Sequence, residues 1–335
     1  HTPHIPRDRR ALLPIAPADR AETRESAEFS RKRLGDAPWA PLKIASGCDR
    51  RCSFCAIPYF RGSFISRRPH EVLDEARWLV ANGVTELFLV SETTTSYGKD
   101  LGDLQLMEKM LPEIAAIEGV ERVRLSYLQP AEMRPTLIQA MIATPKTVPY
   151  FDLSFQHSSP TVLRRMRRFG DNEKFLHLIN QIRVLSPEAG SRSNFIVGFP
   201  GETDADFQEL MGLVHHVQFD NSYCFIFSAR PGTPAANLED STPRAMKVAR
   251  LQALTSLIDE NILRISQGMV GNTERVMIEG MAKDGQKLQG ITENNRVCNI
   301  GLPSLGQAKR LIGKMVPVVF TRALAHSLQA ELVTR

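Results

Sequence analysis

Two patterns in the sequence predict an α/β fold with a small all-β barrel attached. Between Leu42 and Ser228, strand-like apolar runs alternate six times with amphipathic helical stretches, which is the grammar of a parallel sheet. After Gly271 the runs become short and alternating, five within about sixty residues, as in a barrel of the oligonucleotide-binding sort. A third observation, the breaker cluster Arg230-Pro231-Gly232-Thr233-Pro234, marks where one pattern yields to the other.

Taken in order, residues 1–41 carry much Arg, Pro and Ala with little periodicity, apart from a short helix around Arg20 to Leu34. They read as a linker or arm draped over the α/β unit. Strands are expected over Leu42–Ser46, Glu86–Ser91, Arg122–Tyr127, Tyr150–Phe155, Arg192–Gly198 and Ser222–Ser228. Between them, helices over Pro69–Asn82, Asp103–Ile117, Arg134–Ala143, Asn172–Ser186 and Asp204–His216 place apolar residues at three-and-four spacing. Residues 42–228 thus form one α/β unit, whose six repeats are too few to close an eight-stranded barrel, and whose reactive residues belong at strand C-terminal ends. Residues 229–270 are a connecting segment with a long helix from Pro243 to Gln267. Residues 271–335 form the small barrel, with strands over Glu274–Glu279, Lys287–Thr292, Arg296–Ile300, Met315–Thr321 and Ser327–Leu332.

Composition narrows the class. A chain of 335 residues that is 42% hydrophobic can bury a large core. No apolar run reaches membrane-spanning length and the start shows no signal-peptide pattern, so no membrane partner is expected. Clustered cysteines fit a reducing cytoplasm. Of the formal charge of +5, all is accounted for by Asn261 to Arg335, where ten Lys/Arg face five Asp/Glu. A basic module on a neutral body suits contact with a polyanion such as RNA, or simply a solvated surface.

Three of the five cysteines, Cys48, Cys52 and Cys55, fall within eight residues at C-x3-C-x2-C spacing, on a glycine-containing loop after the first strand. Three thiolates on a four-iron cluster leave one iron open to an outside ligand. Structural zinc would require a fourth ligand, and the nearest histidine, His70, sits on a helix start; an odd local count argues against disulfides. Cys224 and Cys298, each in an apolar strand, read as buried small hydrophobes.

This arrangement resembles the radical S-adenosylmethionine (SAM) superfamily, and the longer run from Gly47 through Pro58, Arg61 and Gly62 to Ser66-Arg67 resembles its methylthiotransferases. The resemblance implies an open six-unit (β/α)6 partial barrel followed by a TRAM module. It also implies a 4Fe-4S cluster on Cys48, Cys52 and Cys55, SAM on the open iron, and an external electron donor. Reductive cleavage of SAM would release methionine and a 5'-deoxyadenosyl radical that takes hydrogen from an unactivated C–H bond.

Further site residues come with the same resemblance. Ser91-Glu92-Thr93 lies where the superfamily holds the SAM ammonium, and Glu92 is the natural acceptor, since a carboxylate gives a charge-assisted bond. Phe195-Ile196-Val197-Gly198-Phe199-Pro200-Gly201-Glu202-Thr203 looks like the stretch along the adenine, with Gly198, Gly201 and Glu202 as its marked positions. Tyr127, Gln156 and His157 end strands at the mouth, His157 reading more simply as structural. Of the dense cluster Arg164, Arg165, Arg167 and Arg168, one arginine would face SAM, with Arg167 taken as the candidate; the run otherwise reads as a solvated helix face, and Arg61 and Arg67 are similarly ambiguous.

Two branches of the family are represented. Ser96-Tyr97-Gly98, Tyr127-Leu128-Gln129-Pro130 and Phe155-Gln156-His157 resemble the branch that modifies an aspartate of a small-subunit ribosomal protein. Ser228 to Ala236 and Thr292-Glu293-Asn294-Asn295-Arg296-Val297 resemble the branch that acts on an isopentenylated adenosine beside the tRNA anticodon. Both carry an upstream domain whose three cysteines hold a second 4Fe-4S cluster, whereas no Cys precedes Cys48 here; residues His1 to Pro14 resemble the end of such a domain. The expectation is a methylthiotransferase fragment acting on the ribosomal protein, with tRNA as the alternative substrate. A protein of another class, binding RNA through its tail without catalysis, is the third reading.

Overall fold

The computed structural model describes residues 33, 35–301 and 305–333. The short helix expected around Arg20 to Leu34, and the stretch His1 to Pro14, lie outside these residues except for Arg33.

The chain runs β1 (Trp39–Lys43), β2 (Ala45–Ser46), α1 (Ile57–Arg61), β3 (Ile65–Ser66), α2 (Pro69–Ala81), β4 (Glu86–Val90), α3 (Leu106–Ala115), β5 (Arg122–Leu125), α4 (Pro135–Ala143), β6 (Tyr150–Gln156), α5 (Pro160–Arg165), α6 (Asn172–Leu185), β7 (Gly190–Val197), α7 (Asp204–Val217) and β8 (Asn221–Ile226). The first strand begins three residues before the expected Leu42. It can carry Pro41 because β1 pairs only with β4 and leaves its other edge free of any strand among the described residues. Ala45–Ser46 instead turns into a two-stranded hairpin with β3, a short antiparallel pairing that no apolar run announces.

Helix starts follow local chemistry. Thr203 Oγ1 accepts from Asp206 N (3.2 Å) while Asp206 Oδ2 accepts from Thr203 N (2.9 Å), closing a capping box on α7; Asp171 caps α6 by accepting from Lys174 N at 2.8 Å.

Strands β1-β4-β5 and β6-β7-β8 form two parallel sheets, joined by backbone bridges Val123↔Thr147 and Leu128↔Leu153 into one curved wall. Alternation then sorts the side chains. Leu87, Leu89, Val123, Leu125, Phe151, Phe195 and Val197 are buried beneath the helices, whereas Glu86, Arg122, Arg124, Asp152 and Arg192 take the opposite, inner face.

Helix α8 (Arg244–Met269) packs its Leu254 and Ile258 into the main core and delivers the chain to the tail. There β9 (Thr273–Met281), β10 (Lys287–Ile291), β11 (Val297–Gly301), α9 (Leu305–Leu311), β12 (Met315–Ala323) and β13 (Ser327–Leu332) close a barrel in the order β10-β11-β13-β12-β9. Its core of Val276, Ile278, Leu288, Cys298, Ile300, Val318, Phe320 and Leu328 is separate from the first and includes Met269 from α8. No helix among the described residues is long and apolar enough to cross a membrane.

The tail docks on the N-terminal ends of the parallel strands, opposite the end that carries the cysteines. Arg122 Nη1 donates to Ile291 O (2.8 Å), Arg124 Nη1 to Glu293 O (3.1 Å), and Arg296 Nη1 to Asp220 Oδ1 (2.5 Å). A Cβ on Gly190 would stand 2.9 Å from Asn294 Cβ, so glycine is what lets this loop approach β7. The Thr292–Val297 stretch, which resembles the tRNA-modifying branch, is therefore engaged in internal docking.

Candidate active site

The cysteine loop is built to one shape. Gly47 has φ +82°, and a Cβ there would lie 2.0 Å from Ser63 O, so no other residue fits without moving backbone. Cys48 N donates to Gly62 O (3.1 Å), Phe64 N to Asp49 Oδ1 (3.2 Å), and Cys55 N to Cys52 O (3.2 Å). Ser53 ties the loop to α5 through Met166 O (3.0 Å) and Arg165 O (2.7 Å). Beneath it Phe54 packs on a cluster of Val162, Met166, Phe199 and Ala235, which Ile196 and Phe227 also flank.

All three thiols are free, Cys48 buried and Cys52 and Cys55 half-buried. Burial pushes the Cys48 thiol up, and charge on Cys52 or Cys55 would push it further; burial and Cys52 do the same to Cys55. Arg168 Nη1 lies 3.9 Å from Cys52 Sγ, and its other terminal nitrogen bonds Ser154 O. Among the described residues no three His, Cys, Asp or Glu side chains converge on a single-ion site. A multi-iron cluster asks something different, since each thiolate takes its own iron. Three mutually felt thiols facing a guanidinium suit that donor set.

Glu92 sits beside this loop, with Oε1 3.7 Å from Arg61 Nε and Oε2 buried without a partner. An orphaned buried carboxylate oxygen is costly alone and fits an incoming ammonium. Tyr127, Gln156 and Arg167 share an unusual trait, positive φ of 59°, 73° and 56°. Six non-glycine residues do so among those described, and three of them are sequence-derived site candidates; such strain gathers at functional sites. Tyr127 leaves its ring 43% exposed while its backbone N donates to Asp152 Oδ2 at 3.1 Å. The Arg167 side chain is exposed.

The adenine-like stretch looks inward as well as outward. Gly198 (φ +66°) and Gly201 (φ +78°) make room for Lys247 and Arg165, whose atoms a Cβ would meet at 2.6 and 1.4 Å. Their glycines thus have a packing reason independent of any ligand. The Glu202 carboxylate is buried, accepting from Arg250 Nη1 (2.7 Å) and Phe199 N (3.3 Å). His157, fully buried, accepts at Nδ1 from Ser159 N (3.0 Å) and turns Nε2 toward Glu202 Oε2 at 3.5 Å. Sequence reading named Arg168 within the arginine cluster but took Arg167 as the candidate, and it missed Asp152, Arg192 and Arg250. For Asp152 and Arg192 the available signal was a charged residue at an inward position of an otherwise apolar strand.

An open parallel wall with three cysteines on the loop after its first strand defines a class, and the model of the Radical SAM superfamily matches residues 42–214. The chain belongs to that superfamily, whose members use a 4Fe-4S cluster and SAM. Within it, a Streptomyces coelicolor protein described as ribosomal protein uS12 methylthiotransferase RimO is 48% identical over 99% of this chain and 72% of its own length. A Nocardioides protein of the same description is 53% identical over 99% and 71%, and one from Kineococcus radiotolerans 52% identical over 84% and 61%. The chain is a member of the RimO family of methylthiotransferases, and spans 61% to 72% of these relatives' length. Among solved structures, coproporphyrinogen III oxidase (HemN) from Escherichia coli aligns over 77% of this chain and 67% of its own with TM-score 0.51 and 15% identity, a likeness of fold alone.

Proposed function

We propose that this chain contributes the catalytic barrel and tail of a ribosomal protein uS12 methylthiotransferase, converting a C–H bond of an aspartate side chain to C–SCH3. The observation that carries the reading is the 48% and 53% identity to uS12 methylthiotransferases over barrel and tail together, 99% of the chain. The tRNA alternative loses support because Thr292 to Arg296 has an internal use, in the Thr292 and Glu293 carbonyls that receive Arg122 and Arg124 and in the Arg296 guanidinium on Asp220.

Cys48, Cys52 and Cys55 would hold the cluster, which when bound supplies the electron that cleaves SAM. Arg168 offsets negative charge beside Cys52. Glu92 Oε2 would accept from the SAM ammonium, Gly198 and Gly201 would set the turn along the adenine, and Tyr127, Gln156 and Arg167 would shape the mouth. The outer helices bury the back of the wall, so the inner face is the side open to SAM and substrate. A second cluster from the relatives' remaining length, a reductant and a cytoplasmic setting complete the scheme, and RNA contact falls to the basic tail, far from the cysteines. Anaerobic reconstitution with SAM, reductant and uS12 should yield 5'-deoxyadenosine; none from a fully loaded cluster would refute the reading.

A further inference from the structure

The inner face of the wall holds a polar group that this catalytic scheme leaves unused. Arg192, on β7, donates from Nη1 to Asp152 Oδ2 (3.3 Å) and from Nη2 to Asn194 Oδ1 (3.3 Å), and its guanidinium lies 4.2 Å from the centroid of the Tyr223 ring. Asp152 is in turn pinned by Ser126 Oγ and by Tyr127 N at the mouth. Three buried polar atoms here have no partner: Arg192 Nε, Asp152 Oδ1 and the Tyr150 hydroxyl. Buried donors and acceptors are nearly always satisfied, so orphans on one face of the paired strands β6 and β7 call for a ligand that completes them.

We propose that Arg192, braced by Asp152 and stacked on Tyr223, forms a subsite that receives the carboxylate of a peptide aspartate; this rests on the proposed methylthiotransferase function. Two features of the group select that ligand. A free guanidinium N–H seeks an anion, and a carboxylate is the planar partner it fits. The orphaned Asp152 Oδ1 seeks a donor, and an aspartyl residue brings its own backbone N–H beside its carboxylate.

The other inner-face arginines have their terminal nitrogens committed, with only the Nε of Arg122 left unpaired. Arg122 and Arg124 share Glu86 and the tail carbonyls, and their side chains are 3% and 5% exposed against 15% for Arg192. Arg192 also lies at a suitable depth. On the same face of β7, four residues or about 13 Å toward the C-terminal end, Ile196 packs on the same small cluster, Val162, Met166, Phe199 and Ala235, as Phe54 of the cysteine loop. That interval separates the subsite from the packing beneath the cysteine loop. Access is open on this side, where Tyr223 and Phe225 of the edge strand β8 are 51% and 53% exposed.

The test uses the full chain, reconstituted anaerobically, with purified uS12 as the probe and SAM binding measured separately. Arg192→Gln is expected to weaken uS12 binding about tenfold while SAM affinity stays within about twofold. One Asp→Asn change in uS12 should reproduce the loss in wild type and add nothing in Arg192→Gln. Arg192→Lys, which keeps the charge and the fold but not the planar fork, should lose less. If SAM affinity falls in step with uS12, the arginine serves SAM and the proposal fails. It fails equally if Arg192→Gln binds uS12 as wild type does, with the proposed function left standing. If wild type neither binds nor modifies uS12, both fall together.

Discussion

Glu86 Oε2 accepts from Arg122 Nη2 at 2.6 Å across adjacent strands, and the same arginine reaches Ile291 O of the tail at 2.8 Å. A single buried carboxylate therefore orders the guanidiniums that anchor the tail barrel to the floor of the parallel wall.

Removing that carboxylate strands two buried cations. Glu86→Gln should destabilise the chain by about 3–5 kcal/mol, read as a lower urea midpoint, and should loosen the tail first, seen as faster amide exchange in β10 and β11. The pH dependence has a definite sign. Burial alone would raise the Glu86 carboxyl, but Arg122 and Arg124 together more than reverse it and hold it below its ordinary value. Its contribution is complete above the unfolded carboxylate value and lost as pH falls through the folded one. Wild type should thus lose more stability than Glu86→Gln on going from pH 7 to below about pH 4.

The Arg168 guanidinium faces Cys52 Sγ at 3.9 Å. Removing a positive charge and a donor beside a cluster thiolate makes the cluster harder to reduce. In Arg168→Met, a redox titration followed by electron paramagnetic resonance should show a more negative potential with iron and sulfide content unchanged. An unchanged potential would mean the guanidinium acts only on Ser154.

Gly47→Ala places a Cβ 2.0 Å from Ser63 O at a positive φ. Strain of about 1–3 kcal/mol must be relieved by moving the hairpin of β2 and β3, which carries Cys48. The expected result is poor cluster loading, measured as iron per chain, with the far-UV circular dichroism little altered.

Cys224 and Cys298 should behave unlike the loop cysteines. Burial pushes each thiol up to about 12, with Asp259 and Glu274 respectively adding to it. Since the thiolate is the nucleophile, alkylation of either at pH 8 should be slow until the chain unfolds. Mass spectrometry of labelled peptides would show this, and rapid labelling of folded protein would contradict it.

How much was legible depended on whether the signal was local. The helices of the wall and the β-strands of the tail carry their own periodicity, and their observed ends fall within a few residues of expectation. Strand β1 did not, because Trp39-Ala40-Pro41 has a proline that only a free edge accepts. Helices α1, α5 and α9 are under two turns and too short to show a period. Glu202, expected along the adenine, and His157, a strand-end residue read more simply as structural, are buried together with Arg250, forty-eight positions away from Glu202.

The order of residues by itself determined the cysteine spacing, the alternation of strand with helix, the change of pattern after Gly271 and the excess of positive charge beyond Asn261. Each is a property of neighbours along the chain. Only the folded molecule decided that Arg122, Arg124 and Arg296 bind the tail to the floor of the wall, that the Thr292–Val297 signature is spent on that contact, and that Arg192 keeps a free N–H on the inner face. The reason is physical: the worth of a charge depends on which opposite charge, carbonyl or solvent it meets, and those partners come from strands and loops far apart in sequence.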